Sequence, residues 1–385
     1  MAISKVEFGG RTLMDLTEDT VSEENLLEGE TAHDASGNQI RGKMAIPEIY
    51  FIMQENVLSS SKRYIQGKDS IVLPYLYEYN TTHISSLNQV HVDNIFVLIN
   101  GKALEVKEQT LTLSSPVLGR NYYIQCDSSG TLSIAITRTD SASSKCIGGF
   151  HYGRVRLSRT ISNVTTGIVP NSVWTLRWRP DCKSPDAMVY LGRKLWGDIY
   201  LTRAKTKATT VDGIGAAVQD SSAYGETPCT GAEGFCQFTF TECLAKVGKR
   251  LSYSEEFVSA ADGSPVGLDT SNSNAWSAST SIAKCGQVAN AISFLNVVDL
   301  VGNIWKCNAD KYDLNNPVSK PNYAWHAVSD IKGDTHGPGE FGVGCLISGG
   351  CHSDGSHCGS FCIASGCDPF LVNETLGAWA VAVAK

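Results

Sequence analysis

The dipeptide Asn100-Gly101 separates two segments of alternating hydrophobicity, residues 95–99 and 102–106. Asn-Gly tolerates positive φ at both central positions of a tight turn, so this pattern predicts a two-residue β-hairpin and constrains the fold more than any other stretch. A similar pattern returns in residues 122–126 and 131–134, on either side of a turn. Residues 47–168 are therefore predicted to form a β-sandwich.

Length and composition favour a globular protein of several domains. A chain of 385 residues exceeds the usual size of a single hydrophobic core. The contents of 42% hydrophobic and 18% charged residues are typical of packed domains. The net charge of −7, without clusters of Lys and Arg, argues against a nucleic-acid partner. Because no signal-peptide core or membrane-length apolar run occurs, neither Sec export nor membrane insertion is predicted.

The later part of the chain has signals for helices and buried strands. Ser252 and Glu255 have the spacing of a capping box, which predicts a helix from near Tyr253 to before Gly263. An earlier helix is expected over residues 238–247. Alternation in residues 299–305 and 378–384 predicts two further strands, of which the last is buried at the C-terminus.

Thirteen cysteines are present, and five of them fall between residues 345 and 367. The odd total excludes complete disulfide pairing, and the spacings match no common zinc motif, although His352 and His357 lie nearby. We expect no metal and no cofactor. The alternatives for the cluster are small thiols on exposed or half-buried loops, or a chance product of sequence diversification. Five isolated histidines are expected to be structural or solvent-facing: His83, His91, His151, His326 and His336.

Several segments resemble one superfamily. Residues 248–251, residues 299–305 and the pair Gly349-Gly350 are similar to the C-type-lectin-like domain shared by formylglycine-generating enzymes and by the variable proteins of diversity-generating retroelements. Within it, residues 148–152, 174–180 and 196–201 resemble the tropism determinants of phages. Residues 31–42, a predicted polar hairpin, are also similar to a short repeat of phage tail and baseplate proteins.

The resemblance implies an architecture and a function. It implies a mainly β chain with an α+β C-terminal domain: an N-terminal β-prism-like assembly segment (1–46), a β-sandwich (47–168) and a C-type-lectin-like domain (169–385) with a variable region at about 349–380. The protein would be a homotrimer at the phage tail tip, attached to other tail proteins through its N-terminal segment. By this resemblance its partner would be a protein receptor on the host cell surface, and the chain would not be an enzyme.

Residues 351–373 contain no Met, Trp, Gln, Lys or Glu. Retroelement diversification randomises template adenines, and codons with two random bases and a final pyrimidine cannot encode those five residue types. The resemblance places eleven diversified, ligand-binding positions between residues 351 and 376, and many recur at steps of two, as on one face of an extended segment. Exposed positions tolerate substitution far better than core positions, so these sites are expected to have low burial. They are Cys351, Ser353, Gly355, His357, Ala364, Gly366, Cys367, Leu371, Asn373, Thr375 and Leu376.

Two other functions are compatible with this fold. A formylglycine-generating-enzyme-like oxidase would use reactive cysteines near the C-terminus, but the Arg-rich ending of that family is absent. A sugar-binding lectin is the other alternative, and it would be calcium-independent because the Glu-Pro-Asn and Trp-Asn-Asp motifs of calcium-dependent lectins are missing. The sequence also departs from the family at His352 and Trp379, where a Trp and an Arg are common.

Overall fold

The computed structural model describes residues 5–8, 11–15, 22–23, 31–41, 87–92, 95–99, 102–107, 109–156, 164–176, 178–208, 215–266, 281–314, 324–329, 332–337 and 342–385. The chain divides into two compact units, residues 1–70 and 71–385. The three domains predicted from the sequence stay predictions. His83 and the turn residues Asn100 and Gly101 lie outside the described residues.

The described residues of the first unit form two antiparallel hairpins. Their strands are β1 (Lys5–Phe8), β2 (Arg11–Asp15), β3 (Thr31–His33) and β4 (Gln39–Arg41). In the second hairpin the Asp34 carboxylate accepts the backbone N–H groups of Ser36 (2.9 Å) and Asn38 (2.8 Å), which closes the turn. The predicted polar hairpin is confirmed.

The second unit begins with strands that follow the sequence pattern closely. Strand β5 (Gln89–Val92) pairs with β8 (Gln109–Thr112), and β6 (Ile95–Ile99) pairs with β7 (Lys102–Val106). Ile99 lies opposite Lys102, so two residues connect β6 to β7. This register agrees with the predicted two-residue hairpin.

A five-stranded sheet follows, and its predicted hairpin is also confirmed. The strands are β9 (Arg120–Asp127), β10 (Leu132–Ala135), β11 (Ser144–Arg156), β12 (Val164–Ile168) and β13 (Trp174–Thr175). Their order is β10-β9-β11-β12, with β13 paired to β11. The Asp127 carboxylate accepts the N–H groups of Ser129 (2.8 Å) and Thr131 (3.0 Å), which explains the turn between β9 and β10.

In the rest of the described chain the main elements are two further sheets and two α-helices. In chain order they are β14 (Met188–Gly192), β15 (Leu195–Asp198), β16 (Ala204–Thr206), β17 (Ala217–Val218), α1 (Gln237–Ala245), β18 (Arg250–Leu251), α2 (Ser254–Ala261), β19 (Trp305–Leu314), β20 (Trp325–Ser329), β21 (Gly333–His336), β22 (Gly342–Ser348), β23 (Ile363–Cys367), β24 (Leu376–Ala378) and β25 (Ala380–Val383). The four-stranded sheet has the order β14-β15-β25-β18, and the six-stranded sheet has the order β20-β21-β23-β22-β19-β24. Strands β16 and β17 pair separately.

Two apolar clusters pack against these elements. One surrounds Phe257 and Trp379, and the other surrounds Phe240, Cys307 and Cys345. Both extend to the last strands of the chain, because Val381 belongs to the first cluster and Ala378 to the second. The C-terminal segment is therefore anchored in the core at its end.

Both helices begin within one residue of their predicted starts, but the cap of α2 differs. The Glu256 carboxylate accepts the Tyr253 N–H at 2.9 Å, so Glu256 and not Glu255 completes the cap. The Ser252 hydroxyl instead accepts a hydrogen bond from the Asn308 side chain at 3.4 Å. The predicted capping box is therefore wrong by one residue.

Two predicted strands differ from the structure. Residues 299–304 are not a strand, because Asp299, Gly302 and Asn303 have φ of 61°, 76° and 65°; strand β19 begins only at Trp305, which is buried. The predicted terminal strand, 378–384, is divided. Its first residue ends β24 of the six-stranded sheet, and residues 380–383 form β25 of the four-stranded sheet. Trp379 lies at the bend and is fully buried.

Candidate ligand-binding surface

A pair of glycines begins the segment that the sequence singles out. Gly349 and Gly350 have φ of 91° and 74°, a region that side chains rarely adopt. A Cβ at Gly349 would lie 2.2 Å from the Leu300 carbonyl oxygen, and one at Gly350 would lie 2.6 Å from the Cys358 sulfur. Both positions therefore require glycine, and they fix where the following residues leave the six-stranded sheet.

Side chains within the segment stabilise its irregular backbone. The Asp354 carboxylate accepts the Cys351 N–H at 2.7 Å, and the Asp368 carboxylate accepts the Phe370 N–H at 2.6 Å. The Asn373 side-chain oxygen accepts the Thr375 N–H at 2.8 Å. These three local contacts hold successive turns, so other side chains of the segment are not needed for that purpose.

An open cavity of about 340 Å³ lies against the six-stranded sheet. Residues of strands β19–β24 and of the loop after β23 surround it. Its lining residues are Trp305, Trp325, His336, Ile347, Asp354, Ala364, Gly366, Cys367, Leu371, Asn373, Thr375 and Leu376. This volume is within the usual range of small-molecule or side-chain pockets.

Seven of the eleven residues predicted for the ligand-binding surface line this one cavity. They are Ala364, Gly366, Cys367, Leu371, Asn373, Thr375 and Leu376. The other four, Cys351, Ser353, Gly355 and His357, are not among its lining residues. His357 is nevertheless adjacent, because its ring stacks on that of Trp325 with centroids 4.1 Å apart.

The predicted residues differ in exposure. Ser353, Gly366, Leu371 and Asn373 are exposed, and Gly355, His357, Cys367 and Thr375 are half-buried. Three others are buried: Cys351 is 3%, Ala364 6% and Leu376 2% exposed. The expectation of low burial therefore does not hold for these three. Ala364 and Leu376 pack into the sheet with only part of their surface toward the cavity, and the Cys351 thiol is near the Ser353 hydroxyl at 3.2 Å.

Aromatic side chains form one side of the cavity. The rings of Trp305 and Trp325 are nearly parallel, with centroids 6.2 Å apart, and His336 meets Trp325 edge to face at 4.8 Å. Trp325 and Asp354 are absent from the sequence prediction, and His336 is predicted there to be structural or solvent-facing. A single Trp in a short strand carries no signal that identifies its neighbours. His151 does have a structural role, with ring nitrogens 2.7 Å from Asn121 and 2.9 Å from Tyr200.

The charge around the cavity is mainly acidic. Asp354 lines it, Asp368 and Glu374 are exposed on the loop that borders it, and residues 349–384 contain no Lys or Arg. His357 Nδ1 lies 2.8 Å from the Asp334 carboxylate, which fixes the ring that stacks on Trp325. Among the described residues, no group of three or more His, Cys, Asp or Glu side chains is placed to hold a metal ion.

The cysteines of this region are mostly buried, whereas the sequence interpretation expects exposed or half-buried thiols on loops. Cys358 and Cys362 are fully buried, Cys351 is buried, and only Cys367 is half-buried. Burial raises the pKa of the Cys367 thiol to about 11 and that of the Cys345 thiol to about 12. The interpretation as small loop thiols is therefore wrong for Cys351, Cys358 and Cys362, and these two raised pKa values disfavour the reactive thiolate.

Exposed apolar side chains border the cavity on the loop after β23. Phe370 is 57% exposed, and Leu371 and Val372 are each 38% exposed. The Phe370 ring contacts that of Phe238 on helix α1, with centroids 5.5 Å apart. Leu371 belongs both to this rim and to the cavity lining, so the two surfaces are continuous. None of the helices in the described residues is long and apolar enough to cross a membrane.

Sequence comparison identifies a phage protein as a relative. No family profile matches the chain. The chain is 27% identical over 183 residues to the tail fiber receptor-binding protein of Bordetella phage BPP-1, a match that covers 43% of this chain and 48% of that protein. The match thus spans about half the length of that relative.

Structural comparison extends over nearly the whole chain. The U1 variant of the major tropism determinant matches with a TM-score of 0.61 and 18% identity, covering 96% of both chains. The I1 variant matches with a TM-score of 0.60 and 18% identity, covering 93% of this chain and 95% of that one. At this level of identity the likeness establishes the fold. The predicted fold class, mainly β with a C-type-lectin-like C-terminal domain, is confirmed.

Proposed function

We propose that this chain is a receptor-binding tail protein of a phage that presents a variable ligand-binding surface within residues 349–380. The observation that carries the proposal is the cavity, which brings together seven residues predicted from the variable pattern. Their side chains belong to one concave surface, although they are spread over 13 positions of the sequence, 364–376. The similarity to a phage receptor-binding protein supports the same function.

The proposed partner is a protein on the host cell surface. The apolar rim at Phe370, Leu371 and Val372 and the two tryptophans of the cavity provide the kind of large, rigid contacts that dominate protein interfaces. We further propose a homotrimer at the tail tip of the virion, attached to other tail proteins through residues 1–46. Several copies on one particle would raise avidity without new contacts.

The function as an oxidase has less support. Such an enzyme needs a thiolate at neutral pH, whereas burial raises the pKa of the cysteines near the cavity. Chemistry is not part of the proposal, and neither is a cofactor. A calcium-independent lectin would use the same cavity, and it differs from the proposal in the class of receptor.

The variable surface is tested by sequencing. We expect a near-copy of the 3′ end of the coding sequence close downstream, with adenines at mismatched positions, beside a reverse-transcriptase gene. In a population grown from one clone, substitutions should concentrate at the codons of exposed predicted residues such as Ser353, Gly366 and Asn373. Fully buried Cys358 and Cys362 provide the internal control, because changes there damage the core. An even distribution of substitutions, without a template, contradicts the proposal.

Receptor binding is tested with the labelled full chain on a panel of intact bacterial cells. Leu371→Ser should lower binding to the recognised strain by about tenfold, the effect of about 1.4 kcal/mol at one contact. Ile136→Ser is the matched control, since Ile136 is also exposed, at 60%, but lies outside the cavity and its rim. Protease treatment of the cells should abolish binding to a protein receptor, and binding that survives it indicates a sugar. Equal losses in both variants contradict the proposed site.

A further inference from the structure

Two cysteines face each other across neighbouring strands below the cavity. Strand β22 pairs with β23 in antiparallel orientation, and Cys345 is the direct partner of Cys367 in this register. Residues directly opposite each other in such a pair point to the same face of the sheet. Both side chains therefore point to the same apolar cluster, where Cys345 is a buried member and Cys367 packs at its edge. Both thiols are free in the structure.

The backbone at this place suits a cross-strand bond. Opposed Cβ atoms in antiparallel strands are about 4.5–5.5 Å apart, whereas a disulfide needs about 3.5–4.5 Å. The approach required is small, and the chain can supply it: Cys367 ends strand β23, and a register shift follows Cys345 in β22. The next residues, 368–374, are mostly exposed, so Cys367 can move without disturbing the core.

The two cysteines also differ in accessibility, as a stepwise reaction requires. Cys367 lines the open cavity and is half-buried, whereas Cys345 is fully buried behind it. A small oxidant in solution can therefore reach Cys367 but not Cys345. Cys307 lies in the same cluster and is fully buried too, so it lacks this access.

We infer that Cys345 and Cys367 are a disulfide-forming pair that fastens the cavity-lining strand β23 to the scaffold strand β22. The oxidant is a small-molecule disulfide of the glutathione type. At alkaline pH a small fraction of Cys367 is ionised, because burial raises the pKa of this thiol to about 11, and this thiolate attacks one sulfur of the oxidant, which forms a mixed disulfide and releases one thiol. The Cys345 thiolate then attacks the Cys367 sulfur, forming the protein disulfide and releasing the second thiol. Two protein thiols are oxidised, one disulfide is reduced, and the two protons end on the released thiols.

Position 367 is one of the predicted variable positions, so the residue found there decides whether this disulfide can form. Cys345 lies outside the 351–376 segment, on a strand whose register is set by β19. A cysteine drawn at position 367 therefore meets a thiol that is already present in the scaffold. In such a variant one wall of the cavity is covalently held, whereas Ser or Gly at the same position leaves it held only by backbone hydrogen bonds.

The test is peptide mapping of the full chain after incubation with oxidised glutathione at mildly alkaline pH, with remaining thiols blocked. Cleavage before aspartate separates the two cysteines, because Asp354 lies between them, and gives peptides 334–353 and 354–367. We expect these two peptides to be recovered linked. No linked product, a stable glutathione adduct on Cys367, or a link between Cys307 and Cys345 overturns the inference.

Two variants identify the sulfur atoms involved. Peptide 334–353 also contains Cys351, and peptide 354–367 also contains Cys358 and Cys362. The Cys358 thiol donates to the Cys351 carbonyl oxygen at 3.2 Å, so this rival pair would link the same peptides. Cys367→Ser should reduce the linked product by at least about tenfold, whereas Cys351→Ser should leave it unchanged within about twofold. The opposite result, or a link that survives Cys367→Ser, assigns the bond elsewhere and overturns the inference. Both substitutions are small, and circular dichroism of each variant checks that it folds.

Discussion

Strand β25 and the preceding segment, residues 351–376, are close in sequence but are stabilised differently. Strand β25 lies between β15 and β18, and its residues 380–382 are almost completely buried. The segment has turns held by Asp354, Asp368 and Asn373, and many of its other side chains reach solvent. The comparison shows how one region can tolerate change: a few polar side chains hold its turns, several others are buried, and the exposed ones are available for binding.

The strongest test of this contrast is the ion pair beside β25. Lys249 Nζ lies 2.7 Å from the Asp198 carboxylate, and both side chains are nearly inaccessible. Burial raises the pKa of Asp198 although Lys249 opposes the shift. The Trp379 indole donates to the Asp198 carbonyl oxygen at 2.7 Å, which connects the pair to the start of β25.

Lys249→Met should lower the free energy of unfolding of residues 71–385 by about 3–5 kcal/mol, because it leaves a buried carboxylate without its partner. Urea denaturation of the full chain, followed by tryptophan fluorescence, measures the loss. The double variant Lys249→Met, Asp198→Leu should recover much of it, since both charges are then removed. If Lys249→Met is as stable as the wild type, the surroundings of β25 tolerate substitution as well as residues 351–376 do.

The second test compares Gly349, which is tightly packed just before the segment, with Gly355, which lies in open space within it. Gly349→Ala should cost about 1–3 kcal/mol through its positive φ, and more through the overlap with the Leu300 carbonyl oxygen. Gly355→Ala is the matched control: its φ is 54°, but a Cβ there meets nothing within 4 Å. The same unfolding measurement should therefore show the larger loss for Gly349. Equal losses would mean that the start of the segment is not fixed by close packing.

The third test measures how the stability of the chain depends on pH through Asp299, a buried carboxyl in the loop before β19. Burial raises the pKa of Asp299 to about 7, although its carboxylate accepts the Gly286 N–H at 2.8 Å. Lys306 and Arg154 favour its charged form, and burial lowers the pKa of Lys306 to about 8. Because the folded chain binds the Asp299 proton more tightly than the unfolded chain, this residue makes stability fall as the pH rises from about 4 to about 7.

Asp299→Asn should remove that contribution, which is at most about 1.4 kcal/mol per pH unit. The measurement is the difference in urea midpoint between wild type and variant at about pH 4.5, 5.5 and 6.5. These three values lie between the Asp pKa of the unfolded chain, about 4, and that of the folded chain, about 7. Asn also tolerates the positive φ of this position. A difference that stays constant with pH would show that Asp299 is ionised throughout.

The sequence predicts elements whose signals are local. The hairpin at β6 and β7 follows from its turn residues and alternating hydrophobicity, and helix α2 follows from a capping signal that is one residue out of place. The division of the last strand at Trp379 could not be predicted, because it depends on pairing with distant strands: β24 pairs with β19, whereas β25 pairs with β15 and β18. The positive φ of Asp299 and Asn303 arises from tertiary contacts in the same way, such as the bonds between Asn303 and Ala283.

The candidate site shows the same limit. A pattern of residue types brings Gly366, Leu371 and Asn373 to attention, and the fold places them around one cavity. Trp325 reaches that cavity from a strand more than 40 residues before Gly366, so only the topology of the sheet could reveal it. Burial is equally non-local: the resemblance treats exposed Asn373 and buried Leu376 alike, but in the structure Leu376 is already part of strand β24.

The smallest expected effect concerns two leucines that the sequence treats alike. Leu371 is 38% exposed on the cavity rim, whereas Leu376 is 2% exposed in β24. Leu371→Ser should lower the free energy of unfolding by about 1 kcal/mol, since 38% of the Leu371 surface stays in water in the folded chain and the rest is lost from packing. Leu376→Ala is the contrast and should cost about 2–5 kcal/mol through the cavity that it leaves. If diversification samples both codons equally, selection for folding removes most changes at position 376 and keeps those at position 371. Sequencing clones before and after selection therefore measures the difference in tolerance between the two positions. A Leu371 variant as unstable as the Leu376 variant would mean that the rim is part of the core, and the contrast between the two regions would then not hold.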